Sequence, residues 1–128
     1  MIVLDASAAL KMILRHEGSD ELAARVVGQD LHAPALIEVE VVSGLRRLLR
    51  QRRIAEDRAL IGLEWFLDLA IEMHSGVELT RRIFGLRYSL SAYDAAYVAV
   101  AELIGAPLLT ADGRLSRAHG HRARVELF

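Results

Sequence analysis

The chain contains no cysteine. Disulfides, thiolate zinc sites and a cysteine nucleophile are therefore excluded, and the composition fits a reducing compartment. Lysine is almost absent too: Lys11 is the only one among 16 basic residues, and the rest are arginine. Arginine suits bidentate phosphate contacts, although a GC-rich genome that favours arginine codons explains the bias equally well. Those 16 bases meet 17 acids, for a net charge of −1, so the overall balance carries no nucleic-acid footprint. No apolar run approaches a membrane span, since Glu102 interrupts the longest one. Asp5 and Lys11 break the N-terminal apolar stretch before it resembles a signal peptide. These absences predict a soluble, cytoplasmic protein.

Apolar side chains are what the chain has in plenty, at 53% of 128 residues. That is enough for one packed domain over residues 1–128, and high enough to suggest that a second subunit covers some apolar surface. There is no repeat, linker or low-complexity stretch. Short apolar runs at 1–5, 31–33, 71–74, 107–110 and 123–127 read as strands. Helical spacing of apolar residues reads as helices over 6–15, 19–27, 36–52, 55–69, 76–87, 91–104 and 112–118. Strands alternate with helices and no tight hairpin signal appears. The pattern predicts an α/β fold: a parallel sheet of about five strands with helices on both faces.

In such a fold, strand ends and helix starts meet at the carboxyl edge of the sheet, where α/β proteins place their sites. Asp5 ends the first strand, Asp94 lies in the first turn of the helix opening at Ser91, and Asp112 follows the fourth strand. Each has an ordinary explanation alone. Asp5 and Asp112 suit helix N-caps, and Ser91-Ala92-Tyr93-Asp94 matches a capping box. Together they carry more weight, because two charges ~4 Å apart repel by about 4 kcal/mol at an effective dielectric of 20. A hard dication removes that repulsion, and oxygen-only ligands suit magnesium or manganese. The chemistry implied is metal-assisted phosphodiester hydrolysis. A further acid is expected near the start of the helix after Pro34, where periodicity does not choose between Glu38 and Glu40.

Read together, Ile2-Val3-Leu4-Asp5-Ala6-Ser7-Ala8, Pro34 through Glu40 to Leu45, Ser91-Ala92-Tyr93-Asp94-Ala95 and Leu109-Thr110-Ala111-Asp112 resemble the PIN-domain ribonucleases, specifically the toxin half of VapBC-type toxin–antitoxin pairs. The resemblance runs in the family's order over essentially the whole chain. It selects Glu40 over Glu38. It implies that Asp5, Glu40, Asp94 and Asp112 are catalytic, with Asp5, Asp94 and Asp112 holding Mg²⁺ or Mn²⁺. Ser7 and Thr110 then stand beside the acids to orient a water or ligand. The family further implies an RNA substrate (transfer or ribosomal RNA), a cognate VapB-type antitoxin and a homodimer.

Arg114 and Arg117, one turn beyond Asp112, are candidates for RNA phosphate contacts. The basic patch of Arg46, Arg47, Arg50, Arg52 and Arg53 reads either as a phosphate-binding face or as a solvated helix end. Tyr93, beside Asp94, could stack a base but is read as a core or rim packing residue, and Trp65, Phe66 and Leu69 as core or dimer interface. His119 and His121 have no third ligand nearby. Among other acidic α/β sites, a receiver domain wants a lysine that ends a later strand, and Lys11 is on the first helix. A haloacid-dehalogenase-type phosphatase wants an aspartate where Ser7 stands. The remaining alternative is a non-catalytic PIN-like domain that binds RNA or regulates.

Overall fold

A computed structural model describes all 128 residues. Its five strands are β1 (Ile2–Leu4), β2 (Leu31–Pro34), β3 (Ile71–His74), β4 (Leu108–Thr110) and β5 (Val125–Leu127). The helices are α1 (Ala6–Leu14), α2 (Ser19–Val26), α3 (Ile37–Arg50), α4 (Glu56–Asp68), α5 (Val77–Gly85), α6 (Ala92–Ile104) and α7 (Gly113–Ser116). Every strand pairing is parallel and the order is β3-β2-β1-β4-β5.

Central strands of a parallel sheet are covered on both faces and so read as unbroken apolar runs. Ile2, Val3, Leu4, Leu108 and Leu109 are all 0% exposed, as that requires. One helical layer contains α1, α2, α3 and α4, which pack on one another; α5 packs on α6, which lies against β1, β2 and β4. Two glycines set the first layer's spacing. A Cβ on Gly44 of α3 would lie 2.2 Å from Leu10 Cδ1, and one on Gly62 of α4 would lie 2.4 Å from Ile13 Cγ2. A side chain at either position would push Leu10 or Ile13 aside, so glycine eases the close approach of α3 and α4 to α1, and the α1–α3 contact brings the start of α3 towards the end of β1.

The chain runs outward from β1 to β2 and β3, then returns to place β4 on the other side of β1. The order therefore reverses between β1 and β4, and a crevice opens outside their carboxyl ends. In open α/β sheets that crevice is where ligands bind. No helix is long and apolar enough to cross a membrane.

The helix starts differ in how they are capped. Helix α2 is not capped by a side chain: its N-cap is Gly18 at φ 79°, and Ser19 is buried as the first helical residue. At α6, Ser91 Oγ accepts from Asp94 N–H at 3.1 Å, but the Asp94 carboxylate forms no reciprocal bond to the Ser91 backbone. Half a capping box suffices to start the helix, and the carboxylate stays free to line the crevice.

Candidate functional site

Asp5, at the switch point, is 5% exposed. Its Oδ1 accepts from Ser7 Oγ at 2.6 Å and from Ala8 N–H at 2.9 Å, which makes it the N-cap of α1. Its Oδ2 accepts from Thr110 Oγ1, also at 2.6 Å. Ser7 Oγ in turn accepts from Ala111 N–H at 2.9 Å, and Thr110 Oγ1 from Asp112 N–H at 3.0 Å. The 3.2 Å approach of the two hydroxyls is thus a packing contact, because both protons are already given to Asp5. Ser7 and Thr110 tie the ends of β1 and β4 together and fix the orientation of Asp5. None of these donors carries a charge, so burial prevails and pushes the Asp5 carboxyl above its usual range.

The other acids line the same cleft, of roughly 260 Å³, together with Ser43, Gly44, Arg47, Tyr97 and Arg114. Glu40 is half-buried, whereas Glu38 is exposed. Tyr97 on α6, 2% exposed, donates its hydroxyl proton to the Glu40 carboxylate and bridges the two helical layers. Burial raises the Glu40 carboxyl despite that bond, and the charges of Asp5 and Asp94 raise it further. Asp94 is raised first by burial and then by Asp112. Asp112 alone lies below the usual range, because Arg114 donates to it through Nε at 3.4 Å and Nη2 at 3.0 Å. Its Oδ1 also accepts from Arg114 N–H at 2.8 Å, capping α7.

All four acids proposed from the sequence are therefore neighbours, and three of them lack a basic partner. No three of them bring carboxylate oxygens within 4.8 Å of one another. The donor set is oxygen only and anionic, which fits Mg²⁺ or Mn²⁺. Mg²⁺ in particular is commonly held by one or two carboxylates, with waters and substrate phosphates completing its shell.

A family profile described as the PIN domain matches residues 2–120. The chain belongs to the PIN-domain family. It is 40% identical to Ribonuclease VapC12 of Mycobacterium tuberculosis over 127 residues, covering 99% of this chain and 98% of that one. It is 43% identical to Ribonuclease VapC9 of the same species over 116 residues, 91% of this chain and 89% of the relative. Its fold matches the crystal structure of PAE2754 from Pyrobaculum aerophilum with a TM-score of 0.71 at 22% identity, covering 97% of this chain and 81% of that one. Within the PIN-domain family the chain sides with the VapC proteins.

The arginines and aromatics are distributed differently from the sequence reading. Arg114 lines the cleft but is engaged with Asp112, while Arg117 is exposed and does not line it. Within the basic patch Arg47 does line it, and Arg46, Arg50, Arg52 and Arg53 are solvent-exposed elsewhere. Tyr93 is 65% exposed and so not part of the core, whereas Phe66 is core, and Trp65 and Leu69 pack against that core. Tyr97 went unrecognised because a tyrosine among the alanines and valines of α6 reads as core. Its position three residues after Asp94, on the same side of a helix, was the available signal. A cluster of His32, Glu72 and His74 was also missed, since strand pairing brings its members together and sequence spacing does not.

Proposed function

We propose that this protein is a metal-dependent endoribonuclease, the toxin of a type II toxin–antitoxin pair, which hydrolyses phosphodiester bonds of transfer or ribosomal RNA and so arrests translation. One observation carries the reading: Asp5, Glu40, Asp94 and Asp112 line a single cleft at the β1/β4 switch point. It is supported by relatives that span nearly the whole chain and are named ribonucleases. In this account the PIN domain fills residues 1–128.

Asp5, Asp94 and Asp112 are the residues suited to hold Mg²⁺ or Mn²⁺. When bound, such an ion supplies Lewis acidity to the scissile phosphate and lowers the pKa of a water. The chain's own contribution is placement. Ser7 and Thr110 hold Asp5 rigid, and Tyr97 holds Glu40 against the cleft. The raised Glu40 carboxyl is suited to move a proton at the attacking water. Arg47 and Arg114 stand where they meet substrate phosphates, with Arg117 beyond them. For Arg114 this requires leaving Asp112, which an incoming cation favours by taking over that carboxylate. A VapB-type antitoxin is the expected partner. A homodimer is expected through apolar side chains such as Val77, Phe84 and Leu103, which are 58–67% exposed on α5 and α6.

Incubation of antitoxin-free protein with total RNA, with Mg²⁺ or Mn²⁺ and with chelator, tests the reading. Discrete products that require metal and vanish in Asp5→Asn and Asp94→Asn are expected, and their ends name the target. Intact RNA throughout would favour the non-catalytic alternative.

A further inference from the structure

A second group of ligating side chains lies outside the acidic cleft and shares no residue with it. In the β2–β3 register His32 stands opposite Glu72, and His74 follows two residues along β3, on the same face as Glu72. His32 Nδ1 and His74 Nε2 are 3.0 Å apart. The Glu72 carboxylate lies 3.8 Å from the first nitrogen and 4.0 Å from the second. One ligand atom from each residue falls within 4.8 Å of the other two, an arrangement found nowhere else in the chain.

We propose that His32, Glu72 and His74 form an exchangeable Zn²⁺ site that clamps the edge strand β3 to β2. Two imidazole nitrogens bound at ~2.0–2.1 Å on a tetrahedral ion stand roughly 3.3–3.4 Å apart. The observed 3.0 Å needs only a few tenths of an ångström of relaxation. Glu72, with its side chain 71% exposed, closes the remaining distance by rotating freely. Nitrogen donors select zinc-class ions over Mg²⁺, so the site does not compete for the ion suited to the acids.

The orientation of His32 supports the assignment. Its ring is buried and its Nε2 has no hydrogen-bond partner in either tautomer. Its one hydrogen bond runs between Nδ1 and His74 Nε2, and Glu72 lies just beyond hydrogen-bonding reach of the same nitrogen, so the ligating nitrogen faces the other two residues. With Nδ1 on the metal, the His32 proton sits on Nε2 without the acceptor that metal-bound histidines normally have. Three protein ligands, an open fourth position for water and this missing acceptor define an exchangeable site, weaker than a closed structural one.

The test is Zn²⁺ titration against a chromophoric chelator, using the full chain with Asp5→Asn and Asp94→Asn so that the cleft no longer contributes. One equivalent of Zn²⁺ should bind. Outer-shell partners alone are typically worth ~10–100-fold in metal affinity, so His74→Ala should weaken binding by more than ~100-fold. Glu72→Gln, at an exposed position that cannot compromise folding, should weaken it by at least ~10-fold on the same scale. Zn²⁺ should also raise the melting temperature of the parent, and at the same Zn²⁺ concentration raise that of either variant less. Zn²⁺ binding that is unchanged in Glu72→Gln and in folded His74→Ala, or no binding by the parent, would overturn the site.

Discussion

Glu102 on α6 and Asp5 at the end of β1 are both carboxylates with little access to water. The side chain of Glu102 is 8% exposed, and Asp5 is 5% exposed. Glu102 is neutralised within the fold. It accepts from Arg82 Nε at 2.6 Å, from Arg82 Nη2 at 2.9 Å and from Arg122 N–H at 2.8 Å, and these partners hold its carboxyl below the usual range. Asp5 receives only neutral donors and is pushed the other way. A chain with 15 arginines had the means to pair Asp5 and its neighbours, yet did so only at Asp112. Buried charge that is left unpaired is costly. Its retention at the switch point is what a site needs when its counter-ion comes from outside the chain.

The sharpest way to break this contrast is to neutralise one acid of each kind. Asp94→Asn should lower RNA cleavage by roughly 100-fold or more, the scale for losing one preorganised electrostatic partner of a transition state. Single-turnover rates on the RNA identified from total digests would measure it. Glu102→Gln should leave those rates within about twofold, but lower unfolding free energy by about 1 kcal/mol, because Arg82 loses its charged partner while water still reaches its guanidinium. Chemical denaturation reads the second effect. A Glu102→Gln protein that stays stable and loses cleavage would erase the distinction.

Tyr97→Phe sharpens the contrast within the cleft, since it removes the only hydrogen bond that orients Glu40 and leaves every charge in place. Cleavage should fall about tenfold (~1.4 kcal/mol), the worth of one hydrogen bond to a charged group. The loss should appear in the rate at saturating RNA and not in RNA affinity.

The smallest effect is on stability against pH. Asp5, Glu40 and Asp94 have folded-state values raised above ordinary ones. Their stabilising contribution is therefore present below the ordinary carboxylate range and is lost as pH rises through the raised values. Glu102 and Asp112 are depressed, so theirs is present above that range and lost as pH falls through the lowered values. Metal-free Asp94→Asn should accordingly be more stable than wild type at pH 7 by roughly 0.5–1 kcal/mol once solvent screening is allowed for. The gain should disappear near pH 4. Equal stability at both values would show that neither burial nor the charge of Asp112 disfavours the ionised Asp94 carboxylate.

Much of this architecture was legible in the sequence because burial on both faces leaves strands such as Ile2-Val3-Leu4 uniformly apolar, and because amphipathic helices such as α3 repeat at helical spacing. Parallel alternation then sends Asp5, Asp94 and Asp112 to one edge. What escaped depends on pairing across long separations. The strand order, the bond from Tyr97 to Glu40 and the meeting of His32 with Glu72 and His74 are all set by register and helix packing. For the glutamate, helical spacing left Glu38 and Glu40 open and the family resemblance chose Glu40; the structure has Glu40 lining the cleft and Glu38 exposed.

Calorimetric titration of Mn²⁺ into metal-free wild type, Asp94→Asn and Glu102→Gln tests the central claim most directly. The cleft predicts binding to wild type, equal binding to Glu102→Gln, and at least ~10-fold weaker binding to Asp94→Asn, since losing a ligand exceeds the loss of an outer-shell partner. Identical Mn²⁺ affinity in all three proteins would contradict the claim that the unpaired acids at the switch point are there to hold a cation.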